Sequence, residues 1–189
     1  MNQKYYSPSG KVSPQAVLVL VLLGIPCTLA ISGCYTAWLQ SWQIVGLFTP
    51  IITIVMGASL GAGIAILLRF GKVRNRRFAK WSSLALGLVA IYGSWVTFTY
   101  MLLTEAGHSA SFVGTYLDPS LILETAGNFS KSGGYTIKGM SVTGVLLWMI
   151  WLIEAGLIIV SVWIGTQRAM EDRIFCEQCN SWAQIKRGV

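Results

Sequence analysis

Two cysteines near the carboxyl end, Cys176 and Cys179, have a spacing that is typical of metal sites and of redox-active pairs. A structural zinc ion takes four protein ligands, and this segment supplies only two. The pair therefore predicts half of a zinc site, completed by a second copy or a partner, and zinc is the one candidate cofactor. The alternatives are a shortened form of a longer chain, a pair that binds nothing, and a redox pair.

A single acidic residue, Glu154, stands alone inside the apolar run 142–166. Insertion scales put the cost of an acidic residue at the centre of a membrane helix at about 2.5 to 3.5 kcal/mol. We therefore expect this side chain to face the interior of a helix bundle as a neutral acid, hydrogen-bonded to Ser94 or Thr97. An intramembrane acid is a candidate for structural hydrogen bonding, for a contact with a partner's cation and for proton-coupled transport.

Other catalytic patterns are scarce in the sequence. His108 is the only histidine, and one histidine cannot supply the paired axial ligands of a membrane cytochrome. The sequence has no glycine-rich phosphate loop, no nucleophile elbow and no helix with paired His and Glu metal ligands. These features argue against an enzyme, with the cysteine pair kept as the exception.

The composition indicates the environment of the chain. Of its 189 residues 54% are hydrophobic and only 11% are charged, against about 25% charged in a typical soluble domain. The mean hydropathy is +0.62, and no charged residue occurs between Lys11 and Arg69 or between Lys80 and Glu105. These values exclude intrinsic disorder, a nucleic-acid-binding module and an ordinary cytosolic enzyme. They predict an all-α integral membrane protein.

The apolar runs divide into four membrane helices. A hydrocarbon core about 30 Å thick needs about 20 apolar residues per helix, and the polar stretch 40–43 splits the first long run in two. Pro26 lies in the middle of the first helix, where its missing N–H predicts a bend. The predicted spans are 15–39, 44–68, 81–103 and 142–166, with flanking and connecting segments 1–14, 69–80, 104–141 and 167–189.

The basic residues indicate the orientation. Twelve of the fourteen Lys and Arg residues lie in 1–14, 69–80 and 167–189, against two in 104–141. Cytoplasmic loops carry the excess of basic residues, so both termini are predicted in the cytoplasm and the long connection outside. The second connection is also expected to contact anionic lipid headgroups. The residues that would make this contact are Arg74, Arg76, Arg77 and Lys80.

The outer connection 104–141 is long enough to fold by itself. Asp118 and Pro119 are typical of a helix start, in which Asp caps the helix and Pro takes its first position, and Gly127 is a typical stop. We expect a short interfacial helix that lies on the membrane surface. A hairpin with its turn at 132–134 should follow it.

Small residues cluster in the second span, where Gly57 and Gly61 are four residues apart. This spacing lets two helices approach closely in lipid. Packing within the chain's own bundle is the simpler interpretation, and self-association or contact with a partner's helix is the alternative.

Together these features favour a multi-pass, non-catalytic protein of a bacterial cytoplasmic membrane. It would act as an accessory, scaffold or assembly subunit, in contact with the lipid bilayer and with a protein partner or a second copy, but not with nucleic acid. The bacterial host is inferred because the sequence has no eukaryotic sorting signals and no cysteines in the outer connection that could form disulfides. Two alternatives stay open, a transport or proton-coupled subunit using Glu154 and a membrane thiol oxidoreductase using Cys176 and Cys179.

Overall fold

The computed structural model describes residues 10, 12–42, 48–133, 135–137, 140–171, 173–176 and 181–184. Among these residues, four helices are long and apolar enough to cross a membrane, as the sequence predicts. They are Pro14–Ser41, Phe48–Phe70, Arg76–Glu105 and Gly144–Glu171, and we call them the first to fourth spans. Four such helices are the mark of a multi-pass membrane protein.

The elements follow one another in a simple order. The first span consists of α1 (Pro14–Val19), a π-helical segment (Leu20–Gly24) and α2 (Ile25–Trp42). The second and third spans are α3 (Phe48–Phe70) and α4 (Arg76–Glu105). The connection between the third and fourth spans, which the sequence predicts to be the outer connection, contains α5 (Phe112–Leu117), α6 (Pro119–Ser132), β1 (Tyr135–Ile137) and β2 (Met140–Val142). The fourth span, α7 (Gly144–Glu171), leads to β3 (Arg173–Cys176) and β4 (Ser181–Gln184). Both strand pairs are antiparallel, with Thr136 opposite Ser141 and Phe175 opposite Trp182.

Pro26 accounts for the π-helical segment in the first span. Proline has no N–H, and its ring clashes with the carbonyl four residues earlier, which here belongs to Leu22. The wide turn before Pro26 accommodates that clash, because the N–H of Ile25 donates to the carbonyl of Leu20 and not to a residue four positions back. The sequence predicts a bend at Pro26, and the structure shows a π-helical turn immediately before it.

Local hydrogen bonds end α3 and start α4. Lys72 adopts the left-handed conformation with φ 52°, and the N–H of Val73 donates to the carbonyl of Leu68 in a Schellman arrangement. Val73 and Leu68 are both fully buried. The side chain of Asn75 then accepts backbone N–H bonds from the first turn of α4. This cap explains why the third span begins at Arg76, before the boundary expected from hydropathy.

The start of α6 confirms the sequence prediction, but its end does not. Asp118 caps the helix, and Pro119 takes its first position. The helix does not stop at Gly127 and continues to Ser132. It ends at Gly133, which adopts φ 73°.

The longer α6 has a tertiary cause. Ile122, Ala126 and Ser130 follow one another at four-residue intervals, and all three are buried. A glycine within a helix costs about 1 kcal/mol relative to alanine. The helix continues through Gly127 because the burial of these three side chains stabilises it by more than that cost. The predicted hairpin turn at 132–134 is accordingly wrong, and the hairpin forms later, between β1 and β2.

The spans do not simply pack in sequence order. α3 packs mainly against α7, and α2 packs mainly against α4, while α4 also contacts α7. α1 and the π-helical segment contact α3. A shared hydrophobic core runs through these contacts and includes Leu60, Ile64, Leu68, Leu86, Ile158 and Val162.

Candidate functional site

Three polar side chains from three spans meet inside the bundle, and we call them the polar junction. They are Tyr35 of α2, Thr53 of α3 and Glu154 of α7. The Tyr35 hydroxyl oxygen lies 2.6 Å from Thr53 Oγ1 and 3.2 Å from Glu154 Oε1. Thr53 Oγ1 also lies 2.8 Å from the carbonyl oxygen of Thr49. Tyr35 and Thr53 are buried, and Glu154 is half-buried.

Close packing of α3 on α7 builds this junction. A Cβ atom added to Gly57 would lie 1.9 Å from Ser161 Oγ, and one added to Gly61 would lie 2.3 Å from the carbonyl oxygen of Val162. Side chains at these positions would therefore hold the two backbones apart. The small-residue face of the second span is occupied by the chain's own fourth span.

The same contact sets the position of Glu154. The carbonyl oxygen of Ile158 lies 3.3 Å from the Cβ position of Gly57, and α3 and α7 run in the same direction. Thr53 lies one turn before Gly57, and Glu154 lies one turn before Ile158. Because the two helices are parallel, the turns that precede Gly57 and Ile158 also face each other. Thr53 and Glu154 therefore lie at the same level.

The hydroxyl partner of Glu154 is not one of those expected from the sequence. Thr97 Oγ1 donates to the carbonyl of Gly93 at 3.0 Å, and Ser94 Oγ is buried with no hydrogen-bond partner among the described residues. Tyr35 of the first span takes this role. Sequence reasoning misses Tyr35 because a tyrosine near the end of a span resembles an interfacial residue.

Thr53 is also missed by sequence reasoning. The only signal for it was a pair of threonines, Thr49 and Thr53, one turn apart near the start of an apolar helix. Threonines in membrane helices often bond to the carbonyl of the preceding turn, so this pattern does not by itself indicate a site.

A cluster of aromatic rings fastens the outer connection to the third and fourth spans. Trp95 of α4 packs edge to face against Trp151 of α7, with ring centroids 4.8 Å apart. Phe129 of α6 lies 5.2 Å from Phe98 of α4 and 6.4 Å from Trp151 between ring centroids. Aromatic pairs of this kind contribute about 0.5 to 1.5 kcal/mol each beyond their burial. The cluster fixes the orientation of α6.

α5 lies along α4, from its outer end toward its middle. The ring of Phe112 is 5.5 Å from that of Tyr100, and the hydroxyl of Tyr92 donates to the carbonyl of Tyr116 at 2.6 Å. Tyr100 and Tyr92 are two turns apart on α4. The turn between α5 and α6 is therefore drawn toward the middle of the third span.

Much of the surface of α5 and α6 is exposed, and we call these exposed residues the outer face. It combines apolar and acidic residues, namely Phe112, Val113, Leu117, Asp118, Leu123 and Glu124. The four apolar side chains are 48%, 66%, 73% and 67% exposed in chain order. Exposed apolar and acidic side chains on two neighbouring helices are suited to contact with another molecule.

Asp118 of the outer face is held in its ionised form. The hydroxyl of Ser120 and the backbone N–H of Leu121 donate to its carboxylate and hold the pKa of Asp118 below its usual value. The backbone N–H of Ser120 also donates, at 3.1 Å. The outer face therefore carries a negative charge at neutral pH.

The basic connection between the second and third spans lies at the other end of the bundle. Arg76, Arg77 and Lys80 are exposed, and Arg74 is half-buried. The Lys80 ammonium lies 5.2 Å from the ring centroid of Trp163, a cation–π contact worth about 0.5 to 1 kcal/mol at exposed sites. The contact of Arg74, Arg76, Arg77 and Lys80 with anionic headgroups stays a prediction.

The cysteine motif lies only partly within the described residues. Cys176 ends β3, and Cys179 lies outside them. Cys27 and Cys34 are exposed on the first span, and His108 is exposed after α4. No three His, Cys, Asp or Glu side chains of the described segments are grouped to hold a metal ion. The half zinc site stays a prediction.

No protein-family model, curated protein or solved structure matches this chain. Its function is therefore inferred from three features of its own structure: the polar junction, the outer face and the basic connection.

Proposed function

We propose that the chain is a non-catalytic accessory or assembly subunit of a membrane protein complex, bound to its partner through the outer face. The observation that carries this proposal is the combination of four exposed apolar side chains and two exposed carboxylates on that surface. The aromatic cluster holds the surface in one orientation, which lowers the ordering cost of binding. The expected partner is a protein that presents apolar side chains and cations.

The depth of the outer face favours a protein partner over lipid alone. Tyr92 lies about one turn closer to the middle of α4 than Trp95, which faces Trp151 of α7. The bond from Tyr92 to Tyr116 draws the turn between α5 and α6, in which Asp118 lies, toward the middle of α4. A carboxylate that faces lipid is costly, whereas a partner's cation would stabilise it. In this proposal α6 is the interfacial helix, with its first turn dipping into the outer leaflet.

In the same proposal both termini lie in the cytoplasm, and the membrane is the bacterial cytoplasmic membrane. The amino-terminal segment and the basic connection are joined at one end of the bundle, which supports a common side. Ser13 Oγ donates to the carbonyl of Gly71 at 2.5 Å, and Asn75 Nδ2 donates to that of Gly10 at 3.1 Å. The positive-inside rule assigns this basic end to the cytoplasm.

Site-specific photo-crosslinking in native membranes tests the proposed contact. A photoreactive residue at Leu123 of the outer face is compared with one at Leu152, which is 70% exposed on α7. We expect a discrete protein adduct from position 123 and lipid adducts from position 152. Introducing Glu124→Lys beside the probe should reduce the adduct at position 123, because it replaces a carboxylate with a cation.

Mass spectrometry then identifies the adduct. A single partner protein supports the accessory role, and an adduct at twice the mass of the chain assigns the outer face to a homo-oligomer. Lipid adducts at both positions would overturn the proposal.

A further inference from the structure

We infer that the polar junction is a proton-binding site inside the bundle, at which Glu154 takes up and releases the proton. This goes beyond contact with a partner, because the site is built entirely from the chain's own spans. Its oxygen atoms make three hydrogen-bond contacts, but the hydroxyl groups of Tyr35 and Thr53 supply only two protons.

The number of available protons indicates the state of Glu154. Each hydroxyl group carries one proton, and a backbone carbonyl can only accept. With a carboxylate at Glu154, Tyr35 donates to its Oε1, and the single proton of Thr53 satisfies either its contact with Tyr35 or that with the carbonyl of Thr49, but not both. With a neutral acid at Glu154, Thr53 donates to the carbonyl of Thr49, 2.8 Å away, and Tyr35 can donate to Thr53 Oγ1, 2.6 Å away. The remaining contact, 3.2 Å between the Tyr35 hydroxyl and Glu154 Oε1, then needs a proton from the carboxyl group. All three contacts are satisfied together when Glu154 is a neutral acid that donates to Tyr35.

Release of the proton to water reverses this chain of hydrogen bonds. Tyr35 then donates to the Glu154 carboxylate, and Thr53 donates to Tyr35, so that Thr53 no longer donates to Thr49. The two states share the same heavy atoms and differ by one proton and by the direction of two hydroxyl groups. The acid form satisfies all three contacts, and the ionised form satisfies two.

The groups that face Glu154 do not balance a negative charge. From α2 it meets the neutral hydroxyl of Tyr35, next to the exposed thiol of Cys34. From α3 it is approached by Thr53, and α4 contributes Tyr92 as its titratable group, which donates to a backbone carbonyl of α5. Among the described residues no cation lies at this level.

The cations on the packed helices lie far along them. Arg69 of α3 is sixteen residues beyond Thr53, about 24 Å along the helix. Arg168 of α7 is fourteen residues beyond Glu154, about 21 Å along the helix. An ionised Glu154 would therefore be stabilised by hydroxyl groups alone, with no cation beside it. This environment suits the neutral, protonated form of the side chain.

Infrared difference spectroscopy of the full chain in lipid vesicles, between neutral and alkaline solution, tests this site. A protonated carboxylic acid has a C=O stretching band that a carboxylate lacks. We expect the wild-type chain to lose one such band on the alkaline side and to regain it at neutral pH. Glu154→Gln should abolish this change, whereas Glu124→Gln, at an exposed position of α6, should leave it intact.

Tyr35→Phe is the second variant, because it keeps the ring and removes only the hydroxyl that faces Glu154. The band should persist and shift to higher frequency, since the acid loses its hydrogen-bond acceptor. Circular dichroism checks that each variant keeps its helix content, and if the glutamine variant does not fold, the shift in Tyr35→Phe identifies the band by itself. A wild-type spectrum without such a band, or a band that neither variant affects, would overturn the assignment.

Discussion

The hydroxyl of Thr166 on α7 donates a hydrogen bond of 3.0 Å to the backbone carbonyl of Gly61 on α3. The same oxygen lies 2.9 Å from the carbonyl of Val162 in its own helix. One threonine thus connects two backbones that approach closely because Gly61 has no side chain. This contact joins the second and fourth spans, on which two of the three residues of the polar junction lie.

Gly61→Ala should lower the free energy of unfolding by about 1 to 3 kcal/mol, the range typical of overpacked interiors. The added Cβ would lie 2.3 Å from the carbonyl oxygen of Val162, and backbone cannot move aside as a side chain can. Gly63→Ala is the matched control, because nothing lies within 4 Å of its Cβ position. Unfolding of the purified protein in detergent measures both variants, and equal losses would show that close approach at Gly61 is not required.

Thr166→Val should cost about 0.6 kcal/mol, and at most about 1.7 kcal/mol, as hydrogen bonds between membrane helices do. The change keeps the shape of the side chain and removes its bond to Gly61. Thr104→Val serves as control, because that exposed hydroxyl donates only to the carbonyl of Tyr100 in its own helix, at 2.8 Å. The same unfolding assay applies, and a Thr166→Val variant as stable as its control would assign no stabilising role to the bond.

α6 should lose stability in acid because its cap is a carboxylate. The pKa of Asp118 is lowered in the folded protein by donation from the Ser120 hydroxyl and the Leu121 N–H. Its stabilisation is therefore complete above the unfolded-state pKa and is lost as the pH falls through the lower folded value. Amide hydrogen exchange at Ser120 and Leu121 should accelerate across that acidic range. Asn also caps helices but does not titrate. If the Asp118→Asn variant keeps the acid transition, the transition belongs to another group.

Cysteine labelling should report the orientation of the chain. A cysteine replacing Ser132 should react with a membrane-impermeant maleimide added to intact cells, and one replacing Arg77 should react only after the cells are opened. Twelve basic residues on one side against two on the other predict this pattern. The opposite pattern would overturn the topology. The starting protein lacks its four native thiols, which are Cys27, Cys34, Cys176 and Cys179.

Metal analysis should find about one zinc ion per two chains if Cys176 and Cys179 share a four-ligand site with a second copy. Cys176→Ser should then remove the metal, and Cys27→Ser should not, because Cys27 lies in the first span. A wild-type content below about a tenth of an ion per chain, unchanged by Cys176→Ser, would remove zinc from consideration.

Several local features of the fold are predictable because their causes lie within a few residues. The cap of α6 is one example, since Asp118 accepts from backbone groups two and three residues later. Its far end is not predictable in this way. Gly127 is a good helix stop in isolation, and only the packing of α6 against the aromatic cluster shows that the helix continues past it.

The sequence by itself determined four apolar helices and an exceptional acid in the last of them. Each apolar helix is a property of about 20 consecutive residues, whose transfer into hydrocarbon does not depend on the rest of the chain. Tertiary structure alone decided the environment of that acid. Tyr35 of the first span lies 119 positions from Glu154 in the chain. The second and fourth spans pack together through Gly57 and Gly61, which brings Thr53 level with Glu154, and the Tyr35 hydroxyl contacts both residues. That pairing depends on which helix faces complement one another, and this complementarity is not contained in any single segment.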